Sequence, residues 1–222
     1  ALIRTGLTSR DTLVSAQAVI GLAELHGTDA QEEVIQFLQS SHSSYVNKAG
    51  ATALGMSTDK TNVNKVAAIL PQVSEEIQLA LVPLIADRGS EGDFDQILQL
   101  ANQSTGDLQR AAISALPKLG RDTHITEVLN LLKSVPADQV PAAQSALNNM
   151  MSKSQSQAWE PNLLEAIEGS QNGRFIPLIG HLSGDKPRQL AQKILDAGVD
   201  STTNQLLSTA GTWADAEMID IV

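Results

Sequence analysis

The chain has 222 residues and a formal net charge of −10, with 15 Lys and Arg against 25 Asp and Glu and no cysteine. Disulfides, thiolate metal sites and a cysteine nucleophile are thereby excluded, and an acidic surface without a basic cluster repels phosphate backbones, so nucleic acid is not an expected partner. Hydrophobic residues make up 42% but aromatic residues only 3%, a composition that fits Leu, Ile, Val and Ala packed between helices better than alternating strands.

In chain order, the apolar residues fall into helices. Residues 1–27 open on Leu2, Ile3 and Leu7 and continue to Ala18 and Leu22. In 28–58, Asp29 and Glu32 stand at capping-box spacing before a helix over 33–38, and a second helix carries Gly50 and Leu54. In 59–89, a helix over 66–70 is followed by Ser74 as a cap, then Ala80 and Leu84, with Pro83 expected to kink the helix. In 90–120, Asp93 and Gln96 precede a helix over 97–100, and Ala112 and Leu116 follow in a second helix that Pro117 is likewise expected to kink. Residues 121–153 hold a helix over 128–132 and a second with Ala143 and Leu147, entered through Pro141. An inserted helix is expected within 154–172, around Trp159 and Pro161. Residues 173–200 repeat the pattern with Ile179, the candidate cap Asp185, Pro187, Ala191 and Leu195, and 201–222 form a partial unit or cap.

The repeat is a period of about 31 residues. Leu22, Leu54, Leu84, Leu116 and Leu147 are spaced by 32, 30, 32 and 31. Four positions before each stands Ala18, Gly50, Ala80, Ala112 or Ala143. Positions i and i+4 share a helix face, so a small residue one turn before a leucine lets a second helix approach while the leucine fills the groove. A second apolar mark lies 14 to 16 residues earlier at Leu38, Leu70, Leu100 and Leu131, which makes each unit a helical hairpin. Ala112→Leu is expected to lower the melting temperature clearly, whereas Gln109→Ala is expected hardly to change it.

A helix with alanine four residues before leucine, recurring every 31 residues, resembles the HEAT-like repeats of the HEAT/armadillo superfamily, closest to the bacterial phycobilisome-lyase-like type. The resemblance covers most of residues 1–200. It implies an all-α fold: a single domain over 1–222, an α-α superhelix (solenoid) of about six hairpins with one inserted helix. The Asp-Pro-x-Val-Arg turn typical of such repeats is degenerate, with 106–110 as its nearest echo, and the Trp159 helix has no counterpart in a regular array.

No catalytic constellation stands out. HEAT-like enzymes that bind two irons do so through His-Glu pairs, yet His26, His42, His124 and His181 are followed by Gly27, Ser43, Ile125 and Leu182. They are expected at turns and helix ends. Phosphate loops, nucleophile elbows and metalloprotease helices are absent from the sequence, so no catalytic, cofactor-binding or metal-binding residue is assigned. The expected function is a non-catalytic protein-interaction scaffold. Its surface lies on the inner face of each second helix: Lys48, Thr52, Gln78, Arg110, Ser114 and Ser145, with Trp159 and Trp213 weighed as aromatic anchors against gap-filling plugs. The partner is another protein or a neighbouring domain of the same polypeptide. The alternative is an accessory region of a larger bacterial enzyme, such as a sugar-processing hydrolase; a chain that starts at Ala1 within a helix is read as a processed or excised segment. No run is long enough to insert in a membrane. The polar surface and scarce Lys and Arg fit a bacterial periplasm better than a cytoplasm.

Overall fold

The computed structural model describes residues 2–40, 42–169, 173–198 and 200–210. Among them are thirteen α-helices, several short 3-10 turns and no strand. The chain divides into two compact units, Ala1–Leu119 and Gly120–Val222.

The first unit contains α1 (Leu2–Leu7), α2 (Thr12–His26), α3 (Gln31–Leu38), α4 (Ser44–Ser57), α5 (Val63–Ile69), α6 (Glu75–Arg88), α7 (Phe94–Gln103) and α8 (Gly106–Leu119). Each odd-numbered helix packs on the even-numbered helix that follows it. The even-numbered helices also pack in succession, α2 on α4, α4 on α6 and α6 on α8.

Caps account for several boundaries. Asp11 accepts from Leu13 N at 2.9 Å and Val14 N at 3.3 Å, so it starts α2. Ser43 does the same for α4 through Val46 N. Asp93 does not cap a helix with Gln96 as its spacing implied. Its carboxylate reaches back to Ser90 N at 2.8 Å and Ser90 Oγ at 3.2 Å, closing a 3-10 turn over Glu91–Asp93 one step earlier. Asp29 likewise lies inside a 3-10 turn, Gly27–Ala30, and α3 begins without a side-chain cap. Neither Ser74 nor Asp185 makes the expected capping bond. The helices run on through Pro83 and Pro117, and Pro83 is exposed.

The core confirms three of the four marks in this unit and moves the fourth. Leu22, Leu54 and Leu116 are fully buried, with Ala18, Gly50 and Ala112 buried beside them. A Cβ on Gly50 would stand 2.6 Å from Leu38 Cδ2, which is how closely the two helices of that hairpin approach. In α6 Leu84 is only half-buried and Ala80 faces water; Leu81 and Ile85 are the fully buried pair. The true mark is Ile85, with leucine in the usual small slot, and the steps become 32, 31 and 31. The one-residue error arose because Ala80/Leu84 and Leu81/Ile85 both satisfy an i, i+4 template.

A second regularity follows from this corrected register. Seven residues before each mark stands a polar side chain; three of the four reach a carbonyl at the end of the preceding helix, and Asn47 reaches one in the link just before its own helix. Ser15 Oγ donates to Leu7 O at 3.4 Å, Asn47 Nδ2 to His42 O at 3.5 Å, Gln78 Nε2 to Leu70 O at 2.6 Å and Gln109 Nε2 to Ala101 O at 2.9 Å. The last carbonyls of a helix have no amide four residues on, and these side chains supply one. Gln109 is therefore buried and structural. Gln109→Ala is expected to cost about 1–3 kcal/mol, because it leaves the Ala101 carbonyl without its donor; urea unfolding measures it, and a change below about 0.3 kcal/mol would remove the role assigned to this bond.

The second unit contains α9 (Ile125–Ser134), α10 (Val140–Lys153), α11 (Glu160–Gly169), α12 (Lys186–Ala197) and α13 (Asp200–Ala210). The α9–α10 pair is a hairpin with Ala143 and Leu147 buried, as the pattern required. The helix expected within 154–172 is α11, and it packs on α9. The helix expected at Ile179 is instead a 3-10 segment, Ile176–His181, packed on α10, α12 and α13; Pro177 and Gly180 leave it too few good helix formers to extend. In α12 Ala191 is fully buried, but Leu195 is only half so.

Candidate interaction surface

The period of 31 assigns positions on the even-numbered helices of the first unit. Lys48, Leu79 and Arg110 are equivalent, and so are Thr52, Pro83 and Ser114. All six are exposed. Because α4, α6 and α8 pack in succession, these positions recur as two rows along one face of the unit. Leu79 occupies the place that the displaced register gave to Gln78. Gln78 is not on this face; its amide is tied to Leu70 O inside the hairpin. The signal that would have found Leu79 and Pro83 is their exact spacing of 31 from both neighbours.

The chemistry of the face is mild. Thr52 Oγ1 donates to Lys48 O at 2.9 Å and Ser114 Oγ to Arg110 O at 2.8 Å, so both hydroxyls are bonded to their own helices. Lys48 Nζ lies 3.9 Å from Glu76 and Arg110 Nη1 3.3 Å from Asp107. At one end Lys118 Nζ meets Asp87 at 2.5 Å. Exposed pairs of this kind contribute about 0–1 kcal/mol each, and both members stay available to a partner. Tyr45 and Met56 on α4 add exposed apolar area. Ser145 is exposed on α10 in the second unit, at the equivalent step of its own helix.

Of the two tryptophans, Trp213 lies outside the described residues. Trp159 is buried, and its indole Nε1 donates to Ser154 Oγ at 3.2 Å. The link before it is held by Asp122, whose Oδ2 accepts from Gln155 N and Ser156 N, each at 3.1 Å. Trp159 thus fills a gap at the start of α11 and presents no ring to a partner.

Three of the four histidines have structural partners, and His26 is exposed at the end of α2. His42 stacks on Phe37 with ring centroids 4.1 Å apart, and its Nε2 donates to Phe37 O at 2.8 Å. His124 Nδ1 accepts from Arg121 N at 3.0 Å. His181 Nε2 lies 2.5 Å from Asn148 Oδ1, and burial holds its pKa below the ordinary histidine value. Among the described residues no three His, Asp or Glu side chains are grouped so as to hold a metal ion, and no helix is long and apolar enough to cross a membrane. A groove of about 240 Å³ opens between α5 and α7, floored by Ala67 and Leu70 and edged by Gln96, Gln99 and Gln103. It contains no ionisable side chain.

Fold and surface together define an all-α protein of packed helical hairpins. Comparison with known protein families, with curated proteins and with solved structures finds no match to this chain.

Proposed function

We propose that the chain is an α-solenoid of HEAT-like hairpins and that it serves as a non-catalytic protein-interaction scaffold. The observation that carries this reading is the row-by-row recurrence of exposed positions at a step of 31 on α4, α6 and α8, over a core that recurs at the same step. A hairpin of this size cannot bury its apolar side alone, so stacked neighbours supply one continuous core and leave a repeated face free. Such a face binds through many modest contacts, with anchors such as Leu79 flanked by Lys48 and Arg110.

The test is site-specific photocrosslinking in the native cell. A photoreactive residue at Thr52 or Ser114 should trap one defined partner, whereas the same residue at the exposed position Lys65 on α5 should not. Lys48→Glu with Arg110→Glu should weaken that complex at least about tenfold while leaving the melting temperature unchanged, since exposed substitutions rarely alter stability. Identical adduct patterns from Ser114 and Lys65 would count against the reading.

A further inference from the structure

The groove of about 240 Å³ between α5 and α7 has an α7 wall made of amides. Gln96, Gln99 and Gln103 are three and four residues apart, so they stand on successive turns of one stripe. All three are exposed, and among the described residues their carboxamides are bonded to no protein group. The stripe carries no charge, which the repeat itself does not require. One period earlier, on α5, the same positions are Lys65, Ala68 and Gln72; one period later, on α9, they are Glu127, Asn130 and Ser134. Of these three helices only α7 puts a third amide where the others carry a charge. A bond elsewhere in the unit shows what satisfies such a group. Gln39, just past α3, and Gln72, ending the 3-10 turn after α5, pair side chain to side chain, with Gln39 Nε2 donating to Gln72 Oε1 at 2.5 Å. Gln103 lies one further step of 31 along and has the groove beside it in place of an amide.

We propose that this groove binds a short extended stretch of uncharged main chain from another protein, with one aliphatic side chain seated on Ala67, Leu70 and Leu100. A carboxamide offers a donor and an acceptor side by side, as the N–H and C=O of one peptide residue do. In an extended chain these pairs return to the same edge at every second residue, about 6.8 Å apart. Gln99 and Gln103 are separated by about 6 Å along the axis of α7, and their long side chains close the difference. Two residues of a peptide laid along α7 thus pair with them, and the residue between turns its side chain to the other face, onto the aliphatic floor. A charged ligand would find no countercharge among the lining residues, and a sugar no aromatic ring. The free amides all belong to α7, so the site stands apart from the rows on α4, α6 and α8 and does not rest on the scaffold reading.

The test is titration of the full chain with acetyl-alanyl-leucyl-alanine amide, followed by nuclear magnetic resonance of the glutamine side-chain amides. Saturable shifts of the Gln96, Gln99 and Gln103 signals are expected, with a dissociation constant of about 0.1–10 mM for so small a ligand. An analogue with one peptide N–H on the paired edge replaced by an ester oxygen should bind at least about fivefold more weakly, and analogues with glutamate or lysine at the centre weaker still. Gln99→Glu, which removes the donor, and Ala68→Phe, which fills the groove, should each weaken binding at least about fivefold. Both positions are exposed, so the melting temperature should not move. Absence of saturable shifts at these amides up to about 20 mM overturns the proposal. Equal binding of the ester, or preference for maltose over the peptide, overturns it as well. Each of these failures leaves the scaffold reading in place, since crosslinking through Ser114 tests that reading on a different face.

Discussion

Leu116→Ala is expected to destabilise the first unit by about 2–5 kcal/mol. Leu116 is fully buried near the end of α8, which packs against both α6 and α7. Truncation removes the transfer free energy of three carbons and leaves a cavity. The backbone has little room to collapse into it, because Ala112 one turn earlier already sets a short distance between helices. Ile85→Ala in α6 should cost a similar amount, since Ile85 is the equivalent mark and equally buried. Leu84→Ala, at the half-buried neighbour, should cost less than half as much. Denaturant unfolding gives the totals, and native-state amide exchange in α6 and α8 assigns them to the first unit. Equal costs at Leu84 and Leu116 would return the register to the one-residue offset that the alanine–leucine pattern implied and would displace Leu79 from the surface row.

That offset shows what a single sequence can and cannot fix here. The existence, type and recurrence of the hairpins were legible, because small-then-large pairs at i and i+4 recur on a long period. The identity of the buried pair in α6 was not. Residues 79–86 read Leu-Ala-Leu-Val-Pro-Leu-Ile-Ala, and an apolar run of this density supports either of two adjacent faces. Burial against α4 and α8 chooses between them. Pro83 was a usable signal, since a proline is best tolerated where the freed carbonyl can face water, and that places Pro83 on the exposed side and Ile85 within. The consequence for the candidate site was direct, because Gln78 and Leu79 exchange roles when the register moves by one.

The polar ladder was visible as spacing but not as function. Ser15, Asn47, Gln78 and Gln109 recur at 32, 31 and 31, yet they span three residue types, and amides on helices are ordinarily solvated. Their common task is set by the tight turn between the helices of a hairpin, which buries the last carbonyls of one helix beside the first turn of the next. The second unit was less legible because its supports are not periodic. Arg174 Nη1 donates to Leu132 O at 3.1 Å and Val135 O at 2.7 Å, closing the end of α9 from about forty residues away in sequence. Such contacts depend on tertiary placement and leave no local pattern to read.

Glu160→Ala is expected to cost the second unit about 2–4 kcal/mol at neutral pH, because it removes one acceptor shared by three donors. The Glu160 side chain is 4% exposed. It accepts from Ser183 N at 2.8 Å, Ser183 Oγ at 2.9 Å and Lys186 Nζ at 2.5 Å, and so ties the first turn of α11 to the loop and first turn of α12. Lys186 is nearly half exposed, which keeps the cost below that of a fully buried pair. Burial alone would push the Glu160 carboxyl up; the Lys186 ammonium and the two Ser183 donors together outweigh it and hold the pKa below the ordinary glutamate value. The unfolded chain therefore takes up this proton at a higher pH than the folded chain does. The stabilisation is complete above the ordinary glutamate range and is lost as the pH falls from about 4.5 through the depressed value of the folded state. His181 acts in the same direction at higher pH, since burial lowers its pKa from an ordinary value of 6.5 and disfavours the charged ring in the folded state. Unfolding free energies measured from pH 8 to pH 3, with amide exchange in α11 and α12 to localise them, should fall in two steps, one beginning near pH 6.5 and one near pH 4.5. In the exchange of α11 and α12, Glu160→Gln should abolish the lower step and keep the upper one, and His181→Phe the reverse; in the whole chain Glu33, held down by Arg4, and Asp59, held down by Thr61, keep part of the acid limb. If Glu160→Gln left the acid limb of the profile unchanged, the tie between α11 and α12 would have to lie in other residues.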